Sequence, residues 1–79
     1  METNKQETAL AINLKRILAE RGLRPHDLLM LSGVPLSRIG DILRSKTLNP
    51  QVKTVEKLAK ALNVTMDELM AEEYEQKAG

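Results

Sequence analysis

The sequence predicts an all-α fold, with five short helices in one compact domain. Apolar residues make up 42% of the 79, and they are almost all aliphatic, since Tyr74 is the only aromatic residue. They recur every three or four positions, which is the spacing that places side chains on one face of an α-helix. Residues able to start or stop a helix separate these stretches. These three observations favour helix-on-helix packing over a sheet.

The first helix is predicted at residues 8 to 21. Its apolar stripe consists of Leu10, Leu14, Ile17 and Leu18. Thr8 can cap the start of this helix, and Gly22 stands where a left-handed residue commonly ends one. The second helix is predicted to begin at Pro25, because proline fits the first helical position. Its apolar side consists of Leu28, Leu29 and Leu31, and it ends at Ser32-Gly33.

The third helix is predicted at about residues 36 to 44, with Ile39, Ile42 and Leu43 facing the core. The segment from Ser45 to Pro50 is predicted to be a loop, since Asn-Pro favours a turn.

The fourth helix is predicted from an apolar stripe that is interrupted near Asn63. That stripe consists of Val52, Val55, Leu58, Ala59 and Leu62. Thr65 and Glu68 then have the spacing of a capping box, which opens a fifth helix with Leu69 and Met70 on its apolar side. The predicted domain therefore covers residues 8–71, between a frayed N-terminus at residues 1–7 and a charged tail at residues 72–79.

Charge is unevenly distributed along the chain. Residues 15–57 carry nine Lys or Arg against four Asp or Glu, a balance of +5, whereas the remaining residues carry three against seven, a balance of −4. A basic centre is a modest indication of contact with phosphates, although many solvated helical faces have similar charge.

Several functions are disfavoured by composition. Without cysteine there is no disulfide or thiolate metal site, and no catalytic triad, metal-ligand cluster or phosphate-binding glycine loop is evident. His26, the only histidine, is expected to be a surface residue and not a catalyst. We therefore expect no enzyme activity, cofactor, metal or small-molecule ligand. The first residues, METNKQET, do not resemble a signal peptide, and no long apolar run exists, so we expect a soluble cytoplasmic protein with no membrane partner.

Short motifs follow one another through residues 13–70. They are Leu14–Leu23, Asp27–Leu29, Ser32–Val34, Ser37–Ile39, Ile42, Asn49-Pro50, Thr54–Val64 and Met66–Met70. In order and spacing, these motifs resemble the Cro/cI-type (Xre-like) helix-turn-helix family of phage and bacterial transcriptional regulators. The resemblance implies a lambda-repressor-like fold, in which helices two and three form the helix-turn-helix. It also implies a sequence-specific regulator of transcription, expected to be a repressor, that binds double-stranded DNA as a homodimer.

The resemblance further implies that the helix at residues 36–44 lies in the major groove of DNA. The base-reading candidates at the matching positions are Leu36, Ser37, Arg38 and Asp41. Leu36 can contact a thymine methyl group, and Arg38 can bind guanine or, alternatively, a phosphate. Asp41 can accept a hydrogen bond from cytosine or pair with Arg38 or Arg44 on its own helix. Gly40 would let the backbone approach DNA closely.

The matching phosphate-contact candidates are Arg24, His26, Arg44, Lys46 and Asn49. At positions where the family commonly has a capping residue, this sequence has Arg24 and Pro35, and Pro25 replaces a phosphate-binding glutamine. Pro35 at the start of the third helix implies rigid entry in place of a polar cap, whereas Pro25 offers no donor to a phosphate and Arg24 could replace that contact by charge. Where the family commonly pairs an arginine with a glutamate, this chain has Leu18 and Leu43, which we expect to touch.

Apolar residues late in the chain are candidates for a dimer interface, or they complete the core. They are Leu48, Val52, Met66, Met70 and Tyr74. Leu36, Pro35 and Asp41 on the presumed contact face leave an alternative function open. In that alternative the chain is a protein-interaction module or antitoxin-like partner that binds DNA weakly or not at all.

Overall fold

The computed structural model describes residues 7–47 and 49–72, and these residues form five α-helices. In chain order, the helices are α1 (Ala9–Arg21), α2 (Pro25–Ser32), α3 (Leu36–Leu43), α4 (Val52–Leu62) and α5 (Met66–Met70). The predicted all-α fold of five helices is confirmed. The predicted terminal segments fall largely outside the described residues, as do Leu48 and Tyr74.

The helix ends follow from local chemistry that the sequence predicted. The Thr8 side chain accepts a hydrogen bond from the Ala11 N–H at 3.0 Å and so caps α1. Gly22 ends α1 with a φ of 67°, and Asn63 ends α4 with a φ of 58°. At the start of α5, the Thr65 hydroxyl accepts from the Glu68 N–H at 3.0 Å, and the Glu68 carboxylate accepts from the Thr65 N–H at 2.7 Å. The predicted capping box is therefore confirmed.

A tight turn joins α2 to α3. Gly33 has a φ of 81°, a left-handed conformation that glycine adopts without a steric penalty. The Ser32 hydroxyl spans the turn, because it donates to the Leu28 carbonyl at 2.7 Å and accepts from the Val34 N–H at 3.1 Å. Val34 is then buried, which brings the chain back toward the core before α3 begins.

Replacing Ser32 with alanine should lower the free energy of unfolding by about 1–2 kcal/mol, because the Val34 N–H loses its partner in a partly buried turn. Urea denaturation measures this change. The matched control is Ser37→Ala, at an exposed position in α3, which should change stability by less than about 0.5 kcal/mol. Equal losses in the two variants would contradict a structural role for the Ser32 hydroxyl.

The core is aliphatic and drawn from every helix. Its largest fully buried apolar side chains are Leu14, Leu28, Ile39, Ile42, Leu58, Leu62 and Leu69. Helix α1 contacts α3 and α5, while α2 contacts α3 and α4. Helix α3 thus rests against both α1 and α2 through its inner face. No described helix is long and apolar enough to cross a bilayer.

Some residues assigned to apolar faces are exposed instead. Leu31 is 56% exposed, Val52 67% and Met70 43%. All three lie in a terminal turn of their helix. Met30, on α2, is also exposed. Leu31, predicted on the apolar side of its helix, is therefore not part of the core, whereas Val52 and Met70 stay candidates for a contact between copies. Periodicity identifies a face but not how much of that face is covered.

The most deeply buried polar side chain of the described residues was not anticipated. Asn13 is 1% exposed within α1, and its amide nitrogen donates to the carbonyls of Leu69 and Ala71, each at 2.7 Å. Its side-chain oxygen is buried and has no hydrogen-bond partner among the described residues. Asn13 thus ties α1 to the end of α5 and satisfies carbonyls that a helix end leaves unpaired.

Candidate nucleic-acid interface

Helix α3 presents an outward face opposite its buried one. Ile39 and Ile42 are at most 1% exposed and hold the helix against the core. The predicted base-reading residues Leu36, Ser37 and Arg38 are exposed, and Asp41 is partly exposed. Since successive residues of an α-helix are rotated by about 100°, Ser37 and Asp41 lie near the centre of the outward face. Leu36 and Arg38 flank that centre on opposite sides.

A proline opens α3 in place of a polar cap. Pro35 occupies the N-cap position and makes no side-chain capping hydrogen bond. Its carbonyl accepts from the N–H groups of Arg38 and Ile39, both at 3.0 Å. The outward face of α3 therefore begins directly after a proline.

The partner of Asp41 is Arg44. The Arg44 Nη2 lies 3.4 Å from the Asp41 Oδ1, and both side chains are substantially exposed. Of the two arginines that the sequence offered, Arg44 is the one that pairs. Its guanidinium also lies over Gly40, where an added Cβ would be 3.2 Å from the Arg44 Nη1. The space at Gly40 is thus filled by the arginine at the C-cap of α3.

A groove separates α3 from the loop that precedes α4. Ser37, Arg38 and Asp41 line one wall, and Asn49 and Gln51 line the other. The loop also carries Lys46, which is exposed and whose N–H donates to the Asp41 carbonyl at 2.9 Å. The two loop candidates for phosphate contact, Lys46 and Asn49, therefore lie beside α3.

Two lysines that sequence reasoning missed lie next to this groove. Lys53 and Lys57 share a surface depression with Arg38, Pro35 and Gln51. They stand four residues apart on α4 and so project from the same side of that helix. Their spacing was visible in the sequence, but their proximity to α3 depends on how α4 packs.

The remaining phosphate candidates, Arg24 and His26, are exposed at the start of α2. Pro25, between them, shares a shallow depression with Leu36, Ser37 and Arg44. The backbone N–H of Arg24 donates to the Asp27 carboxylate at 2.9 Å, a cap that the sequence analysis did not assign. The fold therefore brings the start of α2 to one side of α3 and the loop to the other.

The dimer candidates separate into different environments. Met66 is partly buried and packs against the core, while Val52 and Met70 are exposed. Leu48 and Tyr74 lie outside the described residues. Leu18 is buried in the core and Leu43 packs against that core, which is compatible with their predicted contact; the contact itself stays a prediction.

Two comparisons match the chain to known proteins. A family model described as helix-turn-helix matches residues 14–69. The crystal structure of the restriction-modification controller protein C.AhdI from Aeromonas hydrophila is similar, with a TM-score of 0.72 and 29% sequence identity. The match covers 78% of this chain and 92% of that one. No curated protein sequence matches.

Proposed function

Because the chain belongs to the helix-turn-helix family of DNA-binding transcription regulators, of the Xre type that its sequence resembles, we propose that it represses transcription by occupying an operator with α3 in the major groove. The observation that carries this proposal is the two-sided character of α3. Its inner face is anchored by buried isoleucines, while its polar face is directed outward. A helix of eight residues is about 12 Å long, comparable to the ~12 Å width of the groove.

Base contacts would come from the outward face of α3. Ser37 can donate or accept a hydrogen bond, and Leu36 offers apolar contact to a thymine methyl group. Arg38 flanks the face on the side of Lys53 and Lys57, so it can reach either a guanine or a phosphate. In this arrangement only a few side chains would distinguish one base sequence from another.

Phosphate contacts would come from both sides of α3. Arg24 and His26 stand at the start of α2, and Lys46 and Asn49 stand in the loop. The side chains of Lys53 and Lys57 extend the positive surface beyond the loop. Such contacts position a protein on duplex DNA without reading its sequence.

The active species in this proposal is a homodimer. A single small module buries little surface on DNA, and two modules can occupy half-sites about one helical turn apart. Exposed Val52 and Met70 are the described candidates for the contact between copies.

Binding to a mixed-sequence duplex should weaken steeply with salt. If one copy makes about four to six phosphate contacts, the plot of log K against log salt concentration should have a slope of about −4 to −5. Replacing Lys46 with glutamine should reduce the size of that slope by about one. The matched control is Lys60→Gln, in the last turn of α4 at the far end of that helix from the groove, which should leave the slope unchanged. Fluorescence anisotropy of a labelled duplex, titrated at several salt concentrations, measures the slope for the wild type and both variants.

A protein-interaction or antitoxin-like role is the second candidate, and exposed apolar side chains favour it. Leu36 is 44% exposed on the outward face of α3, and Met30 and Leu31 are more exposed on α2. No binding to duplex DNA at low salt, with the chain folded, would support this role over operator binding.

A further inference from the structure

Arg44 lies near the centre of the outward face of α3, although a residue that only contacts a phosphate could lie at the edge of that face. Arg44 is the C-cap of α3, and one further helical step from Leu43 places its Cα close to the direction of Ser37, on the side opposite Ile39 and Ile42. Its guanidinium reaches back along the helix to lie over Gly40. When a helix enters the major groove, this central face meets the base edges, while the phosphates lie at the groove walls.

Gly40 provides the space that this arrangement needs. A Cβ added at Gly40 would lie 3.2 Å, 3.4 Å and 3.6 Å from the Nη1, Nη2 and Cζ atoms of Arg44. The guanidinium would then have to move by a few tenths of an ångström or more. Glycine disfavours a helix interior relative to alanine, and Gly40 does not adopt a positive φ that would require glycine. The position of Arg44 gives a physical reason for this glycine.

Asp41 restrains the same guanidinium from one side. Its Oδ1 lies 3.4 Å from the Arg44 Nη2, and an exposed pair of this kind adds little to stability. It nevertheless limits the orientations of a side chain that would otherwise sample many rotamers. Arginine has five N–H donors, so most of them stay available for a ligand. A carboxylate on a DNA-facing helix is tolerable when it is paired in this way.

We infer that Arg44 reads a guanine edge in the major groove, with Gly40 and Asp41 acting as its positioning residues. The inference rests on the proposed function and assigns Arg44 to the bases instead of the phosphates. A guanidinium in a fixed orientation can donate two parallel hydrogen bonds to the O6 and N7 of guanine. Because Gly40 leaves room for the guanidinium and Asp41 pairs with it before binding, less rotamer freedom is lost when the contact forms.

The test is selection of bound sequences from a library of random duplex DNA. It compares the wild-type chain with three variants, Arg44→Gln, Gly40→Ala and Asp41→Asn. We expect the wild type to prefer guanine at one operator position by about 5- to 150-fold, the range for a good bidentate pair. Arg44→Gln should abolish this preference, and the other two variants should reduce it at the same position by at least threefold. Lys46→Gln is the control and should lower affinity without changing the preference.

Thermal unfolding shows whether a variant loses the guanine preference because it is misfolded. Gly40→Ala should melt no lower than the wild type, because alanine is the better helix former. The inference would be overturned if Arg44→Gln kept the guanine preference, or if the wild type showed none. The proposed function would still stand in either case, provided that binding to DNA remains salt-dependent. If Arg44→Gln were the only variant to lose the guanine preference, the roles of Gly40 and Asp41 would be overturned. No duplex binding by the wild type at low salt would overturn both the inference and the proposed function.

Discussion

Replacing Asn13 with aspartate should lower the free energy of unfolding by about 3–5 kcal/mol at neutral pH, enough to unfold a domain of this size. The substitution keeps the shape of the side chain and removes its two N–H donors. The carboxylate would then face the carbonyl oxygens of Leu69 and Ala71 at the distances where the amide nitrogen now donates. It would be buried, negatively charged and without a cation among these contacts. Circular dichroism and urea denaturation measure the loss.

Acid should restore part of the stability of the Asn13→Asp variant. A carboxyl buried against carbonyl oxygens favours its neutral form, because the protonated acid can donate one hydrogen bond to them. The penalty is therefore small at low pH and grows as pH rises through the range in which the unfolded carboxyl ionises. Relative to the wild type, the variant should become less stable from about pH 4 upward.

Two further variants show whether the hydrogen bonds are responsible. Asn13→Ala removes the donors without adding charge, and should cost about 2–3 kcal/mol because two carbonyls lose their partner. Asn49→Asp makes the same chemical change at an exposed loop position, where we expect less than about 0.5 kcal/mol. A folded Asn13→Asp variant of wild-type stability at pH 7 would show that α5 is not held to α1 through Asn13.

The contrast between Thr8 and Asn13 shows which parts of the fold were predictable. The capping partner of Thr8 lies three residues away, so sequence alone indicated the interaction. The partners of Asn13 lie 56 and 58 residues away, and nothing local indicates that an asparagine in an apolar stripe will meet the end of another helix. The exposure of Leu31 was not predicted for a related reason. Burial near a helix end depends on where its neighbours stop.

The candidate site shows the same division. The outward direction of Ser37 and Arg38 follows from the apolar spacing within α3, and the sequence was sufficient for it. The placement of Lys53 and Lys57 beside Arg38 requires knowledge of how α4 packs in the fold. The guanidinium over Gly40 depends on a side-chain rotamer, and spacing carries no information about rotamers.

The inner and outer faces of α3 should respond oppositely to truncation. Ile39 is fully buried. Replacing it with alanine should lower the free energy of unfolding by about 2–5 kcal/mol, because the change removes apolar burial and leaves a cavity behind the helix. Leu36, three residues earlier on the same helix, is 44% exposed, and Leu36→Ala should change stability by less than about 0.5 kcal/mol. Urea denaturation compares the two variants.

For DNA binding by the folded protein, we expect the larger effect from Leu36→Ala and the smaller effect from Ile39→Ala. Leu36→Ala should weaken binding to a selected duplex at unchanged stability, because it removes apolar contact in the groove. The folded fraction of Ile39→Ala should bind with an affinity closer to that of the wild type, since its outward face is intact. If Leu36→Ala were as destabilising as Ile39→Ala, the outer face of α3 would be packed against protein and could not enter a groove. The two truncations together therefore test whether α3 is fixed by one face and free to bind with the other.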